Sequence, residues 1–227
     1  MSFKFLPLPQ SEWLLYYRLC SQAFTPGIWD VMYPNGAPES AIQHSLAALK
    51  RADARHPGRM HMFKVVDPSL PDSDPLQKIV GLSQWKLFPK PRSAEELALE
   101  SEQDDKDDEE FGSPEGLSAA FGEGFAAATG EFKKKILGGR AYVLLHVLAT
   151  RPGYERRGVG AMGLRWGTEK ADEMGLPAYL EASPKGAELY RRWGWEEVVT
   201  LPFDAREYGY HEPLTHLCML RPAKAER

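Results

Sequence analysis

A chain of 227 residues that is 43% hydrophobic carries enough apolar mass for one sizeable core. No apolar run reaches the about 20 residues that cross a bilayer, and the N-terminus lacks the features of a secretory signal, so the expectation is a cytoplasmic or nuclear protein away from membranes. The formal charge of −4 hides an acidic run from Glu95 to Glu110, which leaves a mildly basic body suited to a small polyanion but without the basic stripe of nucleic-acid binding.

Leu14, Leu15 and Leu19 predict a helix from about Ser11 to Ala23, with Ser11 as its N-cap and Thr25-Pro26-Gly27 ending it. Ile42, Leu46 and Leu49 share one face of a second helix, Glu39 to Arg51. Met60 to Val66 and Lys78 to Phe88 read as antiparallel strands joined by a turn-rich loop. From Pro89 to about Ser113 the charge density predicts a mobile, acidic surface insertion within a single 1–227 domain. Gly116 to Lys135 leans helical despite its glycines. Cys20 and Cys218 stand far apart and the histidines are scattered, so free thiols and no metal are expected.

The second half is more regular. A strand from Ala141 to Thr150 runs into Arg151-Pro152-Gly153-Tyr154-Glu155-Arg156-Arg157-Gly158-Val159-Gly160-Ala161, and Val159, Met162, Trp166 and Met174 then recur at helical spacing up to Gly175. A strand feeding a glycine turn that opens a helix offers unpaired N–H groups to a phosphate, and Arg156 and Arg157 add positive charge there. Pro177 to Glu181 reads as a short strand, Ser183-Pro184 as a helix start, and Leu189, Tyr190 and Trp193 as the helix that ends at Gly194. Trp195 to Leu201 and Thr215 to Leu220 read as closing strands. The pattern predicts an α/β domain with a mixed sheet.

Two readings of the turn compete. Gly158-Val159-Gly160-Ala161-Met162-Gly163 matches the GxGxxG fingerprint of an NAD- or FAD-binding oxidoreductase, with Glu181 near the place of the ribose-binding acid. Against it, Arg151 to Arg157 separate the strand from the first glycine, and the preceding sequence lacks repeated βαβ units.

The alternative is a resemblance. Leu148-x-x-x-Pro152-x-Tyr154-x-x-x-Gly158-x-Gly160-Ala161, followed by Leu180-Glu181-Ala182-Ser183 and by Gly186-x-x-Leu189-Tyr190-x-x-Trp193-Gly194-Trp195, resembles two successive motifs of the GNAT superfamily of acetyl-CoA-dependent N-acetyltransferases. The likeness spans about Leu144 to Glu196. Glu155 departs from it, standing where the family usually has Gln or Arg, and a carboxylate there opposes a phosphate. The resemblance implies a mainly antiparallel central sheet flanked by helices on both faces.

It also implies the chemistry, in which an amine attacks the thioester of acetyl-CoA directly, without a metal. The backbone of Arg156, Arg157, Gly158, Val159, Gly160 and Ala161 would take the diphosphate. The edge at Leu148, Ala149 and Thr150 would pair with pantetheine, and Tyr190 would protonate the leaving thiolate. His146, which strand alternation places with Leu148 and Thr150, and Glu181 are the candidate bases. A small-molecule amine is the preferred acceptor, with a peptide amine or lysine next. The rival of a different class is a non-catalytic module that binds acyl-CoA.

Overall fold

The computed structural model describes residues 2–211 and 215–226. Among them, one sheet contains β1 Lys4–Pro7, β2 Met60–Val66, β3 Ile79–Phe88, β4 Tyr142–Thr150, β5 Ala178–Ala182, β6 Glu196–Thr200 and β7 Leu217–Arg221. The strand order is β1-β2-β3-β4-β5-β7-β6, and every neighbouring pair is antiparallel except β4 with β5. The helices are α1 Trp13–Ala23, α2 Ile28–Met32, α3 Glu39–Arg55, α4 Ala94–Phe111, α5 Ala119–Leu137, α6 Val159–Met174 and α7 Pro184–Arg192.

Helices cover both faces because each face carries its own apolar set. On one, α1 and α3 pack Trp13, Leu15, Leu19 and Leu46 against Met62, Leu82 and Ala149, while α5 covers Phe88, Tyr142 and Leu144. On the other, α6 and α7 bring Leu164, Ala171, Ala187 and Tyr190 onto Trp85, Val143 and Leu145. This is a mixed, mainly antiparallel α/β sheet between two helical layers, not the doubly wound parallel sheet that the dinucleotide reading requires.

The third glycine of that fingerprint, Gly163, and Gly167 one turn beyond it both have a packing cause. A Cβ at Gly167 would lie 2.3 Å from the Trp85 ring, and one at Gly163 would lie 2.7 Å from Leu148 Cδ1. Trp85 Nε1 donates to the Gly163 carbonyl at 3.2 Å. The spacing lets α6 lie close on β3 and β4, which is helix–sheet packing and not a ribose site.

The acidic segment is not the loop expected of it. It forms α4, started by a capping box in which the Glu96 N–H donates to Ser93 Oγ and the Ser93 N–H donates to the Glu96 carboxylate. Its charge is met by arginines remote in sequence. Arg59 and Arg92 both bind Glu100, at 2.9 and 2.7 Å, and Arg55 binds Asp104 and Asp107. Arg51 lies 3.7 Å over the Phe111 ring. Ser11 is likewise not the cap of α1: it sits inside a short 3-10 turn, Gln10–Glu12, that leads into the helix.

Candidate active site

β4 pairs with β3 along its whole length, but with β5 only at Val143↔Ala178 and Leu144↔Tyr179. Beyond Leu144 the two strands part into a wedge, and β4 keeps an unpaired edge there. Arg151 N–H donates to the Val80 carbonyl on β3 at 2.9 Å. By strand alternation the Ala149 amide also faces β3, which turns the amides of Leu148 and Thr150 toward the wedge. The floor on the α6 side is closed tightly, since a Cβ at Gly160 would lie 2.9 Å from Leu189 and 3.8 Å from Leu148.

At the wide end of the wedge, the turn after β4 enters α6. Arg156 and Gly158 both adopt left-handed backbone, with φ of 63° and 87°. A turn of this kind at a helix start forms a concave row of N–H groups. Among the described residues, the first α6 bond is Met162 N–H to the Gly158 carbonyl, and the amides of Arg156, Arg157, Gly158, Val159, Gly160 and Ala161 have no protein acceptor. The turn is anchored from behind. Arg151 binds Asp74 at 2.9 Å, and burial of that carboxyl is outweighed by Arg151 and by two backbone donors, so its pKa is held low.

Glu155 does not oppose an incoming anion in the way its sequence position suggests. Its carboxylate accepts from the Gly153 N–H at 2.8 Å and faces Lys185 at 3.7 Å, folded back onto its own turn. Arg157 is also engaged, 4.5 Å over the Tyr154 ring and 5.1 Å over Phe3, so of the two exposed arginines Arg156 is the one not stacked on an aromatic ring.

Tyr190 is 8% exposed and packs edge-on against Trp195, with ring centroids 6.1 Å apart; burial raises its phenol pKa. Trp85 is fully buried under α6 and so lines no acceptor pocket.

His146 is the clearest correction. The β3–β4 register slips between Gln84 and Trp85, where Val147 opposes Gln84 and Leu145 opposes Trp85. His146 is thus the extra residue of a β-bulge, and alternation resets across it. Val147 and Ala149 pack with α1, whereas Leu145 and Leu148 pack with α6. His146 therefore belongs to the α1/α5 face, not to that of Leu148. Its ring reaches water yet is ringed by protein, and this desolvation, with Lys86 and Lys133 nearby, lowers its pKa to about 3. Glu181 lies on the same face, beside Tyr179. Burial raises its pKa, with Lys133 and Tyr179 opposing. Sequence reasoning missed Lys86, Lys133 and Tyr179. The available signal was a lysine at an inward-facing position of β3, a mostly apolar strand whose other polar residues are the buried Ser83 and Gln84.

On that face a cavity of about 1280 Å³ opens between α3, α4 and α5, with Lys86, Tyr142 and Leu144 on its floor. Among the described residues, no set of three His, Cys, Asp or Glu side chains is placed to hold a metal, and no helix is long and apolar enough to cross a membrane.

No protein-family model and no curated protein sequence matches the chain. Its fold does match solved structures over nearly the whole length. Histone acetyltransferase HPA2 and related acetyltransferase from Corynebacterium glutamicum is 19% identical, with 98% of this chain and 97% of that one covered and a TM-score of 0.58. Arabidopsis thaliana NAA60, solved with a bisubstrate analogue, is 12% identical over 96% and 97% of the chains, with a TM-score of 0.52. The C-terminal condensation domain of Ebony, solved with beta-alanyl-dopamine, is 10% identical over 97% and 98%, with a TM-score of 0.60. The chain has the GNAT acetyltransferase fold.

Proposed function

We propose that the protein transfers an acetyl group from acetyl-CoA to an amine acceptor by direct attack in a ternary complex. The observation that carries this reading is the run of unpartnered amides from Arg156 to Ala161 at the wide end of the β4–β5 wedge. In this reading the diphosphate sits on those amides with Arg156 beside it. Pantetheine lies along the β4 edge, accepting from the Thr150 N–H and donating to the Leu148 carbonyl as an added strand would, which leaves the Leu148 N–H free. The Leu148 N–H stabilises the oxyanion as it forms.

The amine nitrogen bonds to the thioester carbon and the C–S bond breaks, giving an amide and CoA thiol. The proton lost from nitrogen goes to the Glu181 carboxylate, whose raised pKa suits it to the task. The thiolate takes the Tyr190 proton, and water returns the proton from Glu181 to Tyr190. His146, held neutral, accepts a hydrogen bond from the attacking amine and does not store its proton.

Coenzyme A at 100 times its dissociation constant adds about 2.7 kcal/mol if it binds only the native state, or roughly 5–10 °C in melting temperature for a chain of this size. That shift is expected with CoA and absent with NAD; a stabilisation by NAD alone would overturn the reading. Glu181 gives a second expectation. A base works deprotonated, so kcat/KM should rise with pH through a midpoint above the ordinary carboxylate value. Glu181→Gln should erase that limb and lower kcat/KM by about 100-fold. An unchanged limb in the variant assigns the base elsewhere.

A further inference from the structure

The cations around the cavity on the α1/α5 face are not equivalent. Arg59 and Arg92 are committed to Glu100, and Arg55 to Asp104 and Asp107. Lys86 and Lys133 line the same cavity without an ion-pair partner among the described residues, as do the exposed Lys134, Glu102 and Asp105 and the half-buried Asp53, and of these Lys86 is the one on the sheet floor. Lys86 stands on the sheet floor, opposite Leu144 on β4 and Met60 on β2, and both neighbours also line the cavity. Lys133 projects from α5. The acid whose charge reaches Lys86, Asp104 on α4, is bound to Arg55. Two like charges left near each other in a partly desolvated space are costly until an anion enters. Burial, and then Lys133, already weaken the protonated form of Lys86.

We infer that this cavity seats an acceptor that carries a carboxylate in addition to its reacting amine, with the carboxylate held between Lys86 and Lys133. The inference rests on the acyl-transfer reading above and names its substrate class. The diphosphate is not a competing occupant. Its donors lie beyond Thr150, whereas Lys86 is opposite Leu144, where β4 and β5 are still paired. The acyl group alone does not account for a cavity of about 1280 Å³ that runs outward to α3 and α4. Lys86 and Lys133 are both near enough to act on His146, so a carboxylate held between them lies within reach of an amine at His146, and a short ω-amino acid carries both groups.

The test uses 4-aminobutanoate and 6-aminohexanoate, their primary amides, and alkylamines and diamines of equal length. Each is assayed by thiol release from acetyl-CoA and by calorimetric titration into the CoA-loaded protein. A carboxylate engaged by two ammonium groups should favour the acids over their amides by about 10- to 100-fold. That preference should disappear in a Lys86→Gln/Lys133→Gln double variant. Equal values for acids and amides in both assays, a preference for alkylamines or diamines, or a preference that survives in the double variant each overturn the inference. Succinyl-CoA replaces acetyl-CoA in a further arm, and a carboxylate preference expressed only through the donor overturns it too. The CoA-induced melting shift reports separately on the parent reading. If that shift is intact in wild type and double variant while acids and amides are equivalent, acyl transfer stands and only the acceptor class fails.

Discussion

Replacing Tyr190 by Phe should lower kcat by about 100-fold or more while leaving CoA affinity within about twofold, because a general acid contributes only as the thiolate forms. The substitution keeps the ring, and the ring is what packs: Tyr190 is 8% exposed, lies edge-on to Trp195 and belongs to the core formed with Leu164, Leu180 and Ala187. Stability should therefore change by no more than about 1 kcal/mol, the scale of one hydroxyl contact. The pH dependence has a definite sign. An acid must be protonated to act, and burial moves this phenol above its usual value of about 10. Wild-type kcat should thus show no alkaline loss assignable to this group below about pH 10. Steady-state thiol release, with CoA binding measured by calorimetry, checks both parts. A Phe variant with unchanged kcat removes Tyr190 from the proton path. Thiol release absent from wild type across the acceptor library, with CoA still bound, leaves the non-catalytic acyl-CoA module as the reading.

What the sequence made legible was local, and what it concealed depended on partners. β2 is bounded by turn chemistry on both sides and is read correctly to the residue, Met60–Val66. The helix predicted from Val159 ends at Gly175, whose left-handed backbone caps it as expected. Helix α4 was read as loop because its counter-charges, Arg55 and Arg59, lie 41 to 52 residues away from the acids they bind. Ser93 and Glu96 did carry a local start signal, a capping box that the acidic composition masked. Strand β1, four residues at the sheet edge, has too little pattern to register. The bulge at His146 lies outside what period-two alternation can express. Alternation assigns faces correctly until an extra residue is inserted, and only the pairing with β3 reveals where that happens. The turn amides were foreseeable from glycine positions and strand–turn–helix order, whereas the Lys86 and Lys133 floor arises when α5 is laid over β3.

Arg221→Ala should be the most destabilising single change in the α6/α7 layer. Arg221 ends β7, is 6% exposed, and forks onto Asp172 of α6 with Nη1–Oδ1 at 2.7 Å and Nη2–Oδ2 at 2.9 Å. Its Nε donates to the Trp193 carbonyl at the end of α7, at 3.0 Å, and its guanidinium lies 5.8 Å from the Trp195 ring centroid. One side chain thus ties the sheet to both helices that carry the proposed site, α6 with the amide turn and α7 with Tyr190. Removing the cation from a buried bidentate pair costs about 3–5 kcal/mol, far above the 1 kcal/mol or less of an exposed bridge. For a chain of this size that corresponds to a fall in melting temperature of about 10 °C. Arg221→Lys should fall between wild type and Ala, since an ammonium restores the charge but not the planar fork that meets both carboxylate oxygens. Thermal denaturation with and without CoA decides the matter. If CoA stabilises the Ala variant by the same increment as wild type, the turn still forms and the loss is one of anchoring. A cost below about 1 kcal/mol would mean that water replaces the guanidinium at Asp172, and that the α6/α7 layer is held by apolar packing on Trp85 and Leu145 instead.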